Sequence, residues 1–189
     1  EKGSLIFQDQ HLKRLREAAR YFAYPFDEEK LKVELNQTLA ELDPSTDYRL
    51  RISIAKSGKM TCKLEKLQAL PEAFCKAILV PQNANLQQPF TYFKTSYRPH
   101  LDLGQQEQIY YNAQGQLLES SIGNLVLQLE GRLYTPPVEL GLLDGIYRQH
   151  LLATGQATEK ILILDDLKSA EKIYACNALR GLYELEIDD

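Results

Sequence analysis

Glu119-Ser120-Ser121-Ile122-Gly123-Asn124-Leu125 sets a carboxylate at the end of one apolar run, then four mostly small residues, then an amide at the start of another run. Leu117 and Leu118 lead into Glu119, and Leu125, Val126, Leu127 and Leu129 carry on from Asn124. Residues 117–119 and 125–130 therefore read as two strands joined by a short turn. Gly131 turns the chain into a strand over 133–135, and Ala113-Gln114-Gly115 connects back to a strand over 108–112. Further on, 145–153 has helical spacing, 161–164 is a fully apolar strand, 167–172 a helical turn and 173–176 a last strand.

Working back, 77–81 reads as a short strand, and the polar run that follows, ending in Pro89, carries little core material. Residues 83–89 are the expected linker, with 90–189 as the larger lobe. In the first half, Leu12, Leu15, Ala18, Ala19 and Phe22 repeat at helical period over 9–24, and a second helix over 27–42 starts on Asp27 and stops near Pro44. The period then changes. Tyr48, Leu50, Ile52 and Ile54 alternate with polar residues over 48–55, Ser57-Gly58-Lys59 turns, and 60–67 returns as the partner strand. Two helices on an antiparallel sheet make 1–82 a small α/β lobe. The chain has no initiator Met, and Glu1-Lys2-Gly3-Ser4 before Leu5-Ile6-Phe7 reads as the middle of a hairpin, so a preceding segment is expected.

Composition excludes several classes of function. Of the 189 residues, 44% are hydrophobic and 25% charged, and no apolar run is long enough to span a bilayer as a helix. A net charge of -4 with both signs interspersed is not the footprint of nucleic-acid binding, which needs clustered Lys and Arg. Cys62, Cys75 and Cys176 lie too far apart for a disulfide framework or a metal pair, and His100 and His150 have no ligand at metal spacing. No metal is expected, and a reducing cytoplasm is the simplest setting. The triplet Asn36-Gln37-Thr38 is read as helix surface rather than a glycosylation site.

Four segments carry chemistry, and each alone admits a plain reading. Phe93-Lys94-Thr95-Ser96-Tyr97-Arg98 holds what could be a solvated surface lysine. Glu119, five residues ahead of Asn124, could be a strand-end carboxylate. Gly141-Leu142-Leu143-Asp144-Gly145-Ile146-Tyr147-Arg148 could be an ordinary helix start, although unpaired N–H groups there also suit a phosphate. Ala170 to Gly181 is an apolar strand ending in Cys176-Asn177-Ala178-Leu179. In this order the four resemble the pattern of the pyridoxal-phosphate (PLP) enzymes of the class IV aminotransferase and aminodeoxychorismate lyase family. Gln10-His11-Leu12-Lys13-Arg14-Leu15 is similar to that family's first helix, and the resemblance covers essentially the whole chain.

The resemblance implies PLP fold type IV, the D-amino acid aminotransferase-like fold: a two-lobe α+β or α/β chain with an α/β sandwich first and a β-barrel-like lobe with helices second. It implies pyridoxal 5'-phosphate as cofactor, with Lys94 as a strand-end Schiff-base lysine that also serves as base and acid. Glu119 would pair with the pyridinium nitrogen, while the small residues before Asn124 let the backbone approach the ring. Arg51, Asn124, Gly145, Ile146, Tyr147, Asn177 and Ala178 would complete the cofactor site, most of them around the phosphate. Tyr147, Cys176 and Ala178 stand where many members have hydroxyl residues, and Asn177-Ala178 is typical of the lyase branch.

The hairpin Lys56-Ser57-Gly58-Lys59 replaces a longer Arg-Gly-Tyr stretch, as in the lyase domain fused behind the chorismate-aminating subunit of aminobenzoate synthase. The implied activity is conversion of 4-amino-4-deoxychorismate to 4-aminobenzoate and pyruvate in folate synthesis, by a homodimer that works with, or is fused to, such a subunit. Two alternatives stay open: a branched-chain or D-amino acid aminotransferase of the same fold, and a catalytically silent PLP-binding or interaction domain.

Overall fold

The computed structural model describes residues 5–40, 42–72, 75–82, 89–102, 104 and 106–188. The chain forms two compact units, residues 1–69 and 70–189.

In the first unit, α1 (Gln8–Tyr21) and α2 (Glu28–Ala40) lie on a hairpin of β1 (Tyr48–Ile54) and β2 (Met60–Lys66). Their stripes meet in one cluster: Leu12 of α1 and Leu31 and Leu35 of α2 are buried against Leu50, Ile52, Met60 and Cys62 of the hairpin. Asp27 starts α2 as expected, its Oδ1 accepting the Lys30 N–H at 3.0 Å. The hairpin turn needs glycine, because Gly58 has φ +81° and a Cβ there would lie 2.9 Å from Pro25 Cβ. Of the expected hairpin, residues 1–4 lie outside the described residues, while residues 6 and 7 turn directly into α1, with Ile6 exposed.

The second unit is built on eight strands, β3 (Lys76–Pro81), β4 (Glu107–Tyr111), β5 (Leu117–Ser120), β6 (Asn124–Leu129), β7 (Arg132–Thr135), β8 (Ala157–Glu159), β9 (Lys172–Asn177) and β10 (Gly181–Ile187). Their order is β5-β4-β3-β10-β9-β6-β7-β8, and an added β5–β6 pairing closes six of them into a ring. The expected barrel-like lobe is therefore present. It closes at Glu119, which faces Asn124 across the seam. Helices α3 (Ile146–Ala153) and α4 (Leu164–Ser169) complete the unit. Leu125 and Leu127 of β6 point into one cluster with Ala77, Ile109, Leu117, Ala175 and Leu185, while Val126 points into another with Leu151 of α3 and Cys176. A strand buried on both faces reads as a continuous apolar run, which is what 125–127 is.

The division between units falls at residue 69, ahead of the expected linker, because β3 pairs in parallel with both β4 and β10 and so belongs to the barrel. Residues 83–88 of that linker lie outside the described residues. The expected strand over 161–164 is also corrected. Ile161 and Ile163 are exposed, only Leu162 is buried, and Ile163 makes a single bridge to Gln116. Asp166 accepts the Ile163 N–H at 2.7 Å and turns the chain into α4, so the helix begins earlier than 167. No helix among the described residues is long and apolar enough to cross a membrane, and none of their side chains cluster as metal ligands.

Candidate active site

The β5–β6 seam gathers the second-unit residues singled out above. Between Glu119 and Asn124 the turn is tight: Ser120 N–H donates to Gly123 O at 2.9 Å. A Cβ on Gly123 would lie 2.7 Å from Cys176 O, so only glycine lets β9 pass this closely. Asn124 is buried and donates from Nδ2 to Leu143 O at 2.7 Å, which draws the segment ahead of α3 onto the seam. Asn177 donates from Nδ2 to Ile122 O at 3.3 Å, while its Oδ1 accepts the Leu179 and Arg180 N–H groups at 3.0 and 2.9 Å. Three turns thus converge, at 120–123, 143–147 and 177–181. They bring Glu119, Asn124, Gly145, Ile146, Tyr147, Asn177 and Ala178 into one region.

Helix α3 starts with Gly145 as N-cap and no side-chain cap, leaving first-turn N–H groups for an anion. Its start is fixed by Arg148, which is 2% exposed, pairs with Asp144 at 2.8 Å and with Glu159, and donates to Pro136 O at 2.9 Å. Tyr147 packs at the opposite turn, its hydroxyl 3.4 Å and its ring atoms 3.5–3.7 Å from where a Gly181 Cβ would lie. Gly145 itself is dictated by space, since a Cβ would fall 2.0 Å from Asn124 Oδ1. Gly145→Ala must therefore displace Asn124, and an overpacked, hydrogen-bonded site of this kind costs about 1–3 kcal/mol. Urea unfolding checks this; a variant as stable as the parent would mean that Asn124 rotates away freely.

Glu119 is 2% exposed. Burial pushes its carboxyl up to about 7, against the downward pull of Arg98, the Leu143 N–H and Lys94. Arg98 Nη2 lies 3.5 Å from Oε2, and His100 Nε2 lies 3.9 Å from Oε1. Burial and the Arg98 charge hold the His100 imidazole down to about 4, so it is neutral at pH 7 and its approach to Glu119 is not an ion pair there. Glu119 Oε1, Arg98 Nε and both His100 ring nitrogens are buried and make no hydrogen bond among the described residues. A buried carboxylate with one open oxygen beside a guanidinium is poised for a cationic N–H partner.

Lys94 is exposed and does not end a strand. It sits in the irregular connection from β3 to β4, where Pro89 and Pro99 interrupt any ladder and Thr95 Oγ1 donates to Tyr97 O at 2.6 Å. Its ammonium is nonetheless near enough to act on Glu119. Arg51 lies in the first unit, exposed on β1 and directly across from Lys63 on β2, and among the described residues neither makes an ion pair. Cys176 is buried with Val126 and Leu151, and burial pushes its thiol up to about 12, which leaves it an inert packing group. The sequence reading missed that Arg98 pairs with Glu119 and that His100 lies beside it. Only their nearness to Lys94 along the chain pointed there.

The amino-transferase class IV model matches residues 1–185. A candidate aminodeoxychorismate lyase of Schizosaccharomyces pombe is 26% identical over 192 aligned residues, covering 94% of this chain and 82% of that protein. Among solved structures, a candidate amino-acid aminotransferase from Mesorhizobium loti is 30% identical with a TM-score of 0.80, covering 95% of this chain and 91% of its own. The 4-amino-4-deoxychorismate lyase of Pseudomonas aeruginosa shares the fold at 20% identity and a TM-score of 0.70, covering 99% of this chain and 79% of its own. The chain belongs to the class IV aminotransferase family, the PLP-dependent enzymes that include the aminodeoxychorismate lyases.

Proposed function

We propose that the protein is an aminodeoxychorismate lyase, releasing 4-aminobenzoate and pyruvate from 4-amino-4-deoxychorismate, with pyridoxal 5'-phosphate carried on Lys94. The observation that carries the cofactor assignment is the buried Glu119 carboxylate with its open Oε1, which fits the N–H of a protonated pyridine ring. The uncapped start of α3, at Gly145, Ile146 and Tyr147, with the backbone of Asn177 and Ala178, fits the phosphate. By family resemblance Arg51 also belongs to this reading. Two like charges directly opposite on a hairpin are unfavourable, so Arg51 and Lys63 favour an anion between them. The choice of lyase rests on the Schizosaccharomyces pombe relative and on Asn177-Ala178.

When bound, PLP supplies an electron sink for the bonds at the substrate's amine-bearing carbon. The chain's own residues do the rest. Glu119 holds the ring-nitrogen proton, and Arg98 favours the ionised form of Glu119 that this requires. Lys94 anchors the cofactor, and its freed amine takes the proton from the amine-bearing carbon. The ring carbon–oxygen bond then breaks, and Lys94 returns a proton to the departing enolpyruvyl group, which leaves as pyruvate. Placement in folate synthesis, a cytoplasmic setting, a homodimer and a chorismate-aminating partner or fusion belong to this same reading.

The test is to supply PLP and 4-amino-4-deoxychorismate and to follow pyruvate by coupled NADH oxidation and 4-aminobenzoate by fluorescence. Equal amounts of both products are expected. Amino transfer to a keto acid without pyruvate release would establish the aminotransferase reading, which the Mesorhizobium loti structure favours. Neither activity, with PLP bound, would leave a silent binding domain.

A further inference from the structure

A second carboxylate lies behind the seam, unused by the chemistry above. Glu107 of β4 is fully buried and makes no ion pair among the described residues. Its Oε1 accepts the Ile122 N–H at 3.2 Å, the Ser120 and Ser121 hydroxyls lie beside it, and its Oε2 has no hydrogen bond among the described residues. The next peptide is held too, because Ile122 O accepts from Asn177 Nδ2 at 3.3 Å. Ser121 is stitched to β4 twice, its N–H donating to Gln108 O at 3.0 Å and its Oγ accepting the Gln108 N–H at 2.9 Å. Tyr183 of β10 closes the space behind, its buried hydroxyl 3.2 Å from where a Gly123 Cβ would lie.

We propose that Glu107 is a positioning residue for the cofactor site: it grips the Ile122 peptide from inside the barrel and so sets Glu119 and Asn124, the two residues on either side of the turn. Glu119 and Asn124 are cross-strand partners through which the barrel closes, so the geometry of the four residues between them fixes where both side chains point. Asn177, which holds the Ile122 carbonyl, also orders the 177–180 turn, and Glu107 is thereby linked through one residue, Ile122, to a second part of the site.

Burial pushes the Glu107 carboxyl above the usual carboxylate range, against the pull of the Ile122 N–H and the Ser120 and Ser121 donors, and what the turn needs from it is the size of its side chain and an acceptor for the Ile122 N–H. Glutamine reproduces that shape and acceptor. Leucine keeps the bulk but strands the Ile122 N–H, and aspartate is one methylene too short to reach it.

This inference rests on the PLP reading, so two measurements are paired. One is amide hydrogen exchange across residues 119–124 in the cofactor-free protein, and the other is PLP affinity by absorbance titration. Glu107→Gln is expected to stay within about twofold of the parent in both, whereas Glu107→Leu speeds exchange in the turn and weakens PLP binding about tenfold or more. If the leucine variant does not fold, Glu107→Asp takes its place with the same expectation. Parental exchange and affinity in the leucine or aspartate variant would overturn the proposal. So would a glutamine variant as impaired as they are. A parent protein that takes up no PLP would instead defeat the functional reading, and the exchange comparison would still judge the role of Glu107.

Discussion

Lys94→Ala leaves the protein colourless in the presence of PLP and lowers turnover by several orders of magnitude, while its melting temperature stays close to that of the parent. The fold is spared because Lys94 is exposed and ends no strand, so shortening it opens no cavity. The chemistry is expected to be lost because in the proposed mechanism one amine serves as anchor, base and acid, and groups that act as a unit are not replaced by the rest of the site. Other lysines are poorly placed to substitute. Lys168 and Lys172 are engaged with Asp165 at 2.7 Å and Glu184 at 2.8 Å. The parent bound to PLP should absorb at about 400 nm, as PLP-lysine enzymes do. A variant that kept both colour and turnover would remove Lys94 from the mechanism.

Glu119→Gln is expected to have opposite effects on stability and on catalysis. In the cofactor-free parent, the folded state keeps the Glu119 proton up to about pH 7, whereas the unfolded chain releases it near the ordinary value of 4.5. Between these values the folded state binds more protons, so its stability falls as pH rises and the full penalty is present above 7. The amide removes that penalty. Cofactor-free Glu119→Gln is therefore more stable than the parent at pH 8, by up to about 3 kcal/mol, and the two converge below pH 4.5. His100 acts in the other direction, since its depressed value makes stability rise with pH between about 4 and 6.5. It is present in both proteins, so their difference reports Glu119. With PLP bound, a neutral amide cannot hold the pyridinium proton equally well, and turnover falls by orders of magnitude. Urea unfolding at several pH values, beside steady-state rates, measures both. A glutamine variant less stable than the parent at pH 8, or one with near-normal turnover, would contradict the assignment.

Much of this was legible in the sequence where a period or a turn is local. The stripes of α1 and α2, the alternation of β1 and β2 and the apolar run of β6 each sit in a window of a few residues. What failed depended on distant partners or on competing local signals. β3 belongs to the barrel because of β4 and β10, which lie far along the chain. The run at 161–164 had the composition of a strand, but Asp165 and Asp166 favour a helix start, and the cap won. β8 is only three residues long, with a threonine and a glutamate exposed, and gives almost no pattern. In the site, Glu119, Asn124, Gly145 and Asn177 stood out through the family resemblance of the motifs that carry them, and each lies beside a turn. Arg98 and His100 were not, since they reach Glu119 from a segment with no repeating period. Glu107 looked like any polar residue at a strand start, and only closure of the barrel over it makes it a buried group.

The most direct test of the central claim is borohydride reduction of the PLP-loaded protein followed by peptide mass mapping. The account predicts a single phosphopyridoxyl adduct, on Lys94. An adduct on another lysine, such as Lys168 or Lys172, or no adduct in a protein that turns over substrate, would contradict it.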